Sequence, residues 1–308
     1  MDRVGPSWWA RRRPARFAGP VAGGLGVVAA LAAAAAPVQP GAPVTRLGGD
    51  LFGVSAASPS AAWAVGETEL DHQPATVLLH WNGRSWARAA SPMPGSLSAA
   101  SALSTDNAWA VGQFDTSTAL ETLVLHWNGT NWTRVPSPSP GPAPVGDNLA
   151  GVSALSRADA WAVGDEDTFG PPGPVFKTLV LHWNGTKWAL VASPNPSPQF
   201  DSLTSVSAVS PSDAWAVGVA GKGSNNTQAL VLHWNGRAWI PVPTPSPAGS
   251  RLTGVSALSP RDAWAVGETV TPAGVHKTLV LHWNGTTWVL VPSPSPSIPN
   301  PDADWTPR

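Results

Sequence analysis

The sequence predicts an all-β fold, a five-bladed β-propeller of four-stranded antiparallel blades preceded by an N-terminal export or anchor helix. Three observations carry that expectation. A unit of about 50 residues, a period in the range of propeller blades, is written five times. Each copy reads as four short β segments separated by turn residues. The third segment places apolar residues on both of its faces, as a sheet covered from two sides requires.

Ahead of the repeats, residues 1–36 hold Arg3, Arg11, Arg12, Arg13 and Arg16, then an uncharged run from Phe17 to Ala36. A basic head before an apolar stretch is the pattern of an export signal, and the small residues Ala32 to Ala36 suit cleavage, although Pro37 disfavours a cut directly after Ala36. A run of this length also spans a bilayer with the arginines held inside, so an uncleaved membrane anchor is the alternative. Arg12 and Arg13 give a loose twin-arginine match. On either reading the repeats lie outside the cytoplasm, secreted or anchored to the outer face of the plasma membrane. Residues 37–50 form a Pro/Gly linker, with Val44 to Leu47 as a short extended candidate.

The five copies occupy 51–96, 97–148, 149–202, 203–251 and 252–297, leaving 298–308 as a tail. The fifth is the most regular: LTGVSALSPRDAWAVG, a variable insert, then KTLVLHWNGTTWVLVP. Its strands are expected over Leu252 to Leu258, Ala263 to Gly267, Thr278 to Trp283 and Trp288 to Val291. Ser259 to Asp262 make the first turn, where a Ser or Asp oxygen accepts from backbone amides two residues on. Asn284-Gly285 make a tight hairpin, because the turn that matches strand twist needs the positive φ these residues tolerate. Leu279, Leu281 and Trp283 share one face, Val280 and His282 the other. The first two strands are rich in Gly, Ala and Ser and suit the tapered inner part of a blade. Prolines in segments such as VPSPSPS end the fourth strand, since proline cannot donate to a ladder.

Fifteen of the eighteen tryptophans fall three to a copy at fixed positions. Those of the AWAVG segment are Trp63, Trp109, Trp161, Trp215 and Trp264. His80, His126, His182, His233 and His282 likewise repeat. Residues present in every copy are expected to build the blade: the indoles as core, each imidazole packed between strands with one nitrogen bonded to a backbone group. Sites related by the blade repeat lie too far apart to chelate one ion, so no metal site is expected. The Asn-Gly-Thr triplets at Asn128, Asn184 and Asn284, with Asn131 and Asn225, spell glycosylation sequons, but the hairpin turn accounts for the triplets.

The pattern LxGVSAxSxxDAWAVG, insert, LHWNGTxW resembles the bacterial neuraminidase repeat, or Asp-box, β-propellers, especially the photosystem II stability and assembly factor-like group. It is also similar to the Trp-rich repeat proteins of actinobacteria. The likeness spans about residues 47–295 and implies a propeller and, through that group, a role as an assembly factor. Asn-Gly stands here where the Asp-box has its aspartate.

Composition narrows the chemistry. Eighteen Lys and Arg balance nineteen Asp and Glu, so no basic field favours nucleic acid. Without cysteine there is no disulfide, thiolate metal site or Cys nucleophile. Without tyrosine there is neither the nucleophile of a sialidase nor the Tyr-Cys pair of a copper-radical oxidase. No cofactor is expected.

In an up-and-down propeller the insert between strands two and three emerges on the same rim as the connection from one blade to the next. The copies differ there, and variable loops on a rigid scaffold are the place for recognition. The candidate ligand-binding residues are therefore Glu67, Asp71, His72, Asp115, Asp165, Glu166, Asp167, Lys222, Glu268 and His276. Asp165 to Asp167 lack the spacing of a calcium loop. The expected function is non-catalytic binding of a protein or a cell-envelope glycan. The alternative is a glycoside hydrolase using two rim carboxylates, and no paired motif marks such a pair. The five copies are expected to form one cooperative ring; how it closes, and the oligomeric state, are not readable from the sequence.

Overall fold

A computed structural model describes residues 48–70, 73–170, 173–222 and 226–295. The expected N-terminal helix and Val44 to Leu47 lie outside them. All regular structure is β. Blade 1 comprises β1 (Asp50–Ser58), β2 (Ala61–Leu70), β3 (Gln73–Trp81) and β4 (Trp86–Arg88). Blade 2 follows with β5 (Ser96–Ser104), β6 (Asn107–Asp115), β7 (Leu120–Trp127) and β8 (Trp132–Arg134). Blade 3 is β9 (Asp147–Ser156), β10 (Asp159–Gly170), β11 (Gly173–Trp183) and β12 (Trp188–Leu190). Blade 4 is β13 (Phe200–Ser210), β14 (Asp213–Gly221), β15 (Thr227–Trp234) and β16 (Trp239–Pro241). Blade 5 is β17 (Ser250–Ser259), β18 (Asp262–Val270), β19 (His276–Trp283) and β20 (Trp288–Leu290).

Within each blade the four strands pair antiparallel in chain order. The first strands lie side by side from blade to blade, β1 with β5, β5 with β9, β9 with β13 and β13 with β17, so they are innermost. One parallel bridge, Phe176 to Phe200, additionally joins β11 to β13 and ties blades 3 and 4 into one sheet.

The turns form as their residues dictate. All five Asn-Gly hairpins place glycine at positive φ, between 86° at Gly236 and 95° at Gly129. The preceding asparagine Oδ1 accepts two amides each time, as when Asn184 receives Thr186 and Lys187 at 3.0 Å. In the first turn a serine hydroxyl takes the amide two residues on, as Ser259 does from Arg261. A further device recurs at the glycine of AWAVG. Opposite it the first strand carries a bulge, and a Cβ at Gly164 would lie 1.9 Å from the Asn148 carbonyl oxygen. Gly66, Gly112, Gly218 and Gly267 stand in the same position.

Packing between blades repeats as closely as the sequence does. Trp161, Val163 and Val180 of blade 3 enter a socket in blade 4 made by Leu203, Ala214, Ala216, Leu230, Leu232 and Trp239. Trp161 lies 4.9 Å from Trp234 and crosses Trp239 edge-on at 5.2 Å, the T-shaped geometry aromatic quadrupoles favour. The same socket receives Trp63 in blade 2, Trp109 in blade 3 and Trp215 in blade 5. A serine seals each junction: Ser55, Ser101, Ser153 and Ser207 accept the amides of Ala102, Ala154, Ala208 and Ala257 at 2.9–3.1 Å.

Three sequence expectations change. The histidines do lie against the tryptophan of their own blade, with centroids 4.2–4.6 Å apart and planes at 24–38°, but in blades 2, 3 and 5 Nε2 turns to a side chain rather than the backbone. His182 meets Asp159 and His282 meets Asp262 at 2.9 Å, while His126 meets Asn107 at 3.1 Å. The residue before Ala-Trp sits across the strand pair and reaches the ring first; in blade 1 that residue is Ala61. Second, the Pro-rich tails do more than end a strand. Their serines strap the third strand: Thr122 bonds Ser137 and Ser139, and Thr178 bonds Ser193. Third, five copies were expected to make one ring, and four junctions are formed. Among the described residues, Trp264 remains 39% exposed and Trp86 46%, whereas their counterparts in the formed junctions are at most 4% exposed.

Replacing Gly164 by alanine should lower stability by about 2–4 kcal/mol, because the added carbon meets backbone that cannot move aside. Gly173, with nothing within 4 Å of a built Cβ, is the control, and its alanine variant should unfold with the wild type in urea.

Candidate functional site

The inserts are not loops over most of their length. In blade 3 the ladder continues past the glycine, from Asp165 opposite Thr178 to Gly170 opposite Gly173. Backbone groups keep pairing as long as two chains run side by side, so variable sequence there still makes strand. The rim residues are therefore presented by rigid hairpins.

Glu67 lies on β2 opposite Thr76 and is half-buried. Asp115 ends β6 and is exposed. Lys222, just beyond β14, is exposed, and its amide donates to the Asn226 carbonyl. Asp71 and His72 lie outside the described residues. The structure brings the remaining candidates into two groups.

The larger group straddles blades 3 and 4. Asp165, Glu166 and Asp167 are consecutive on β10 and half-buried. Asp165 accepts a hydrogen bond from the Ser202 hydroxyl of β13 at 2.8 Å. Burial raises its pKa above the ordinary aspartate value, against the lowering influence of Ser202, Asp167 and Asn148. Beside it Asp147 stands opposite Glu166 and is 2% exposed. Both Asp147 oxygens accept the Gly141 amide, yet desolvation pushes its pKa up to about 6, with the charges of Glu166, Asp165 and Glu121 adding to the rise. Asp201 occupies the matching place in blade 4. It is fully buried, accepts the Ser197 amide through both oxygens, and is likewise raised to about 6 by desolvation. Phe176 and Phe200 meet edge-on at 5.0 Å on the same rim, and Phe169 is exposed.

The second group is on blade 5. Glu268 bonds Nδ1 of His276 at 2.7 Å and pairs with Arg251 of β17. Desolvation, the largest single influence on Glu268, favours its neutral form. The His276 hydrogen bond and the Arg251 charge outweigh it, and the pKa ends below the usual glutamate value.

Asp147, Asp201, Ser202 and Arg251 were not among the sequence candidates. They occupy the two positions before the first leucine of a copy, as in Asp147-Asn148-Leu149, Asp201-Ser202-Leu203 and Ser250-Arg251-Leu252. The copies differ there as they do in the inserts, so comparing the copies at those positions finds them. Among the described residues no three acidic, His or Cys side chains are grouped to hold a metal ion. A groove of about 380 Å³ between the β2–β3 hairpin and residues 88–94 is lined by none of the rim acids. The arrangement at blades 3 and 4 offers carboxyl groups that hold a proton up to about pH 6, and donate as well as accept below it, beside aromatic surface.

Asp147 and Asp201 have folded pKa values above that of the unfolded chain, so the native state holds more protons between about pH 4 and 6 and loses stability as pH rises through that window. Asp147→Asn and Asp201→Asn remove this loss. Each variant should therefore gain in urea midpoint over the wild type at pH 7.5 and match it near pH 4; equal offsets at both pH values would contradict the burial of these carboxyls.

No family model matches the chain, and no curated protein matches it. Solved structures do. YCF48 bound to D1 peptide is 13% identical, covering 79% of this chain and 80% of that one, with a TM-score of 0.43. A GH74 xyloglucanase from Xanthomonas campestris is 14% identical over 79% of this chain and 38% of its own, with a TM-score of 0.47. A protein of unknown function from Dyadobacter fermentans is 11% identical over 79% of this chain and 83% of that one, with a TM-score of 0.49. The blade order, the four-stranded antiparallel sheets and the innermost first strands make this chain an all-β, Trp-rich propeller-like protein.

Proposed function

We propose that the protein is an extracytoplasmic, non-catalytic propeller of five blades that binds a protein or a cell-envelope glycan through the rim at blades 3 and 4. One observation carries this reading: Asp147, Asp165 and Asp201, each drawn from water by burial, share a rim with Phe176 and Phe200. None of these five residues belongs to the pattern that builds every blade. Desolvated carboxyls offer directional hydrogen bonds, and aromatic edges offer apolar surface, the combination of a recognition surface. The basic, apolar segment at 1–36 supports placement outside the cytoplasm, by secretion or by anchoring.

A glycoside hydrolase is the second reading, favoured by the raised pKa values of Asp147 and Asp201, since a general acid must hold its proton near neutral pH.

Pull-down on isolated envelope proteins and cell-wall polysaccharide separates the two. Binding should fall about tenfold or more in Asp165→Asn and in Phe200→Ala, with no turnover of a glycan panel. Turnover lost in Asp147→Asn or Asp201→Asn would establish the hydrolase instead. Binding unchanged in all four variants would remove the site from this rim. Fractionation of producing cells tests the location: the protein should be recovered from medium or membrane, and recovery from cytosol alone would refute export.

A further inference from the structure

Five blades form four junctions, and each end of the array shows one half of a fifth. Blade 5 presents Trp264, Val266 and Val280, the same positions as Trp161, Val163 and Val180, which blade 4 covers. Trp264 and Val266 are 39% and 38% exposed. Blade 1 presents the socket, with Leu51, Leu79, Trp81 and Trp86 standing where Leu203, Leu232, Trp234 and Trp239 receive Trp161. Leu51 is 53% exposed and Trp86 46%, against 0% and 3% for Leu203 and Trp239. The polar seal has its halves as well: Ser256 occupies the place of Ser207, and Ala56 that of Ala257, whose amide Ser207 accepts.

We propose that these two faces bind each other between two copies of this chain, blade 5 of one onto blade 1 of the next. The occupant follows from the formed junctions. In all four, the entering tryptophan lies 4.8–5.0 Å from one indole of the next blade at 53–59°. It crosses the other at 4.8–5.2 Å and 81–89°. The junction geometry is thus the same each time, while in this structure blade 5 does not reach blade 1, and Trp264 and Leu51 stay 39% and 53% exposed. A second copy offers each face the half-junction it lacks. The contact is head-to-tail, so every associated copy keeps one donor and one acceptor face, and the array closes when the rotation allows and otherwise extends. Exposed apolar surface of this kind marks a site of association.

Sedimentation velocity of the purified full chain across a wide concentration range gives the test. The wild type should gain mass with concentration. Trp264→Arg spoils only the donor face and Leu51→Asp only the socket, so each alone should remain a monomer. Mixed, they should form a one-to-one dimer and nothing larger, because each supplies the face the other lacks. Both substitutions fall on surface already exposed, and far-UV circular dichroism checks that the blades persist. A wild type that stays monomeric at every concentration overturns the proposal, meaning that the faces are covered within one chain. Self-association of either variant alone overturns it as well, since that requires a different, symmetric surface.

Discussion

The insertion of one tryptophan per blade into the neighbouring blade is the contact on which the rest of this structure depends. Each of Trp63, Trp109, Trp161 and Trp215 is at most 2% exposed. None is buried by its own sheet. A four-stranded blade has two apolar faces and cannot cover either alone, so its stability comes from its neighbours. This is why His182 and Asp159, or Ser153 and Ala208, recur: they hold the indole flat and seal the seam around it.

A scaffold held this way leaves the rim free to vary. The hairpins beyond the AWAVG glycine are paired strands whose side chains answer to no neighbouring socket. Blades 3 and 4 use that freedom most. A parallel bridge at Phe176 and Phe200 ties these blades together, and on the same rim burial raises the pKa values of Asp147, Asp165 and Asp201. Blade 5 places Glu268 between His276 and Arg251, so its carboxylate is held charged where those of blades 3 and 4 are pushed toward the neutral form. One rim thus carries two electrostatic environments built from the same residue types.

Much of the fold was legible because it is local and repeated. Asn-Gly sets its own turn through positive φ, alternation sets which residues share a face, and a fivefold period identifies what is structural. The site was legible only in part. Asp165 and Glu268 stand out as unshared charges, but Asp147 and Asp201 hide beside the first leucine of their copies. Their desolvation depends on the Pro-rich segments that fold back over them, with Gly141 and Ser197 supplying the amides. The serines of those segments read as spacers between prolines until their bonds to Thr122 and Thr178 are seen.

The sequence by itself determined the blade: its strands, its turns, the tryptophans of its core and the rim on which copies diverge, all consequences of short-range geometry and periodicity. The tertiary structure decided what periodicity is silent about. It turned inserts into paired hairpins, buried acids from different strands on one rim, and left Trp264 and Trp86 uncovered among the described residues. Burial and exposure of those indoles follow from which sheet faces meet, a property of surfaces in contact that no single copy of the repeat contains.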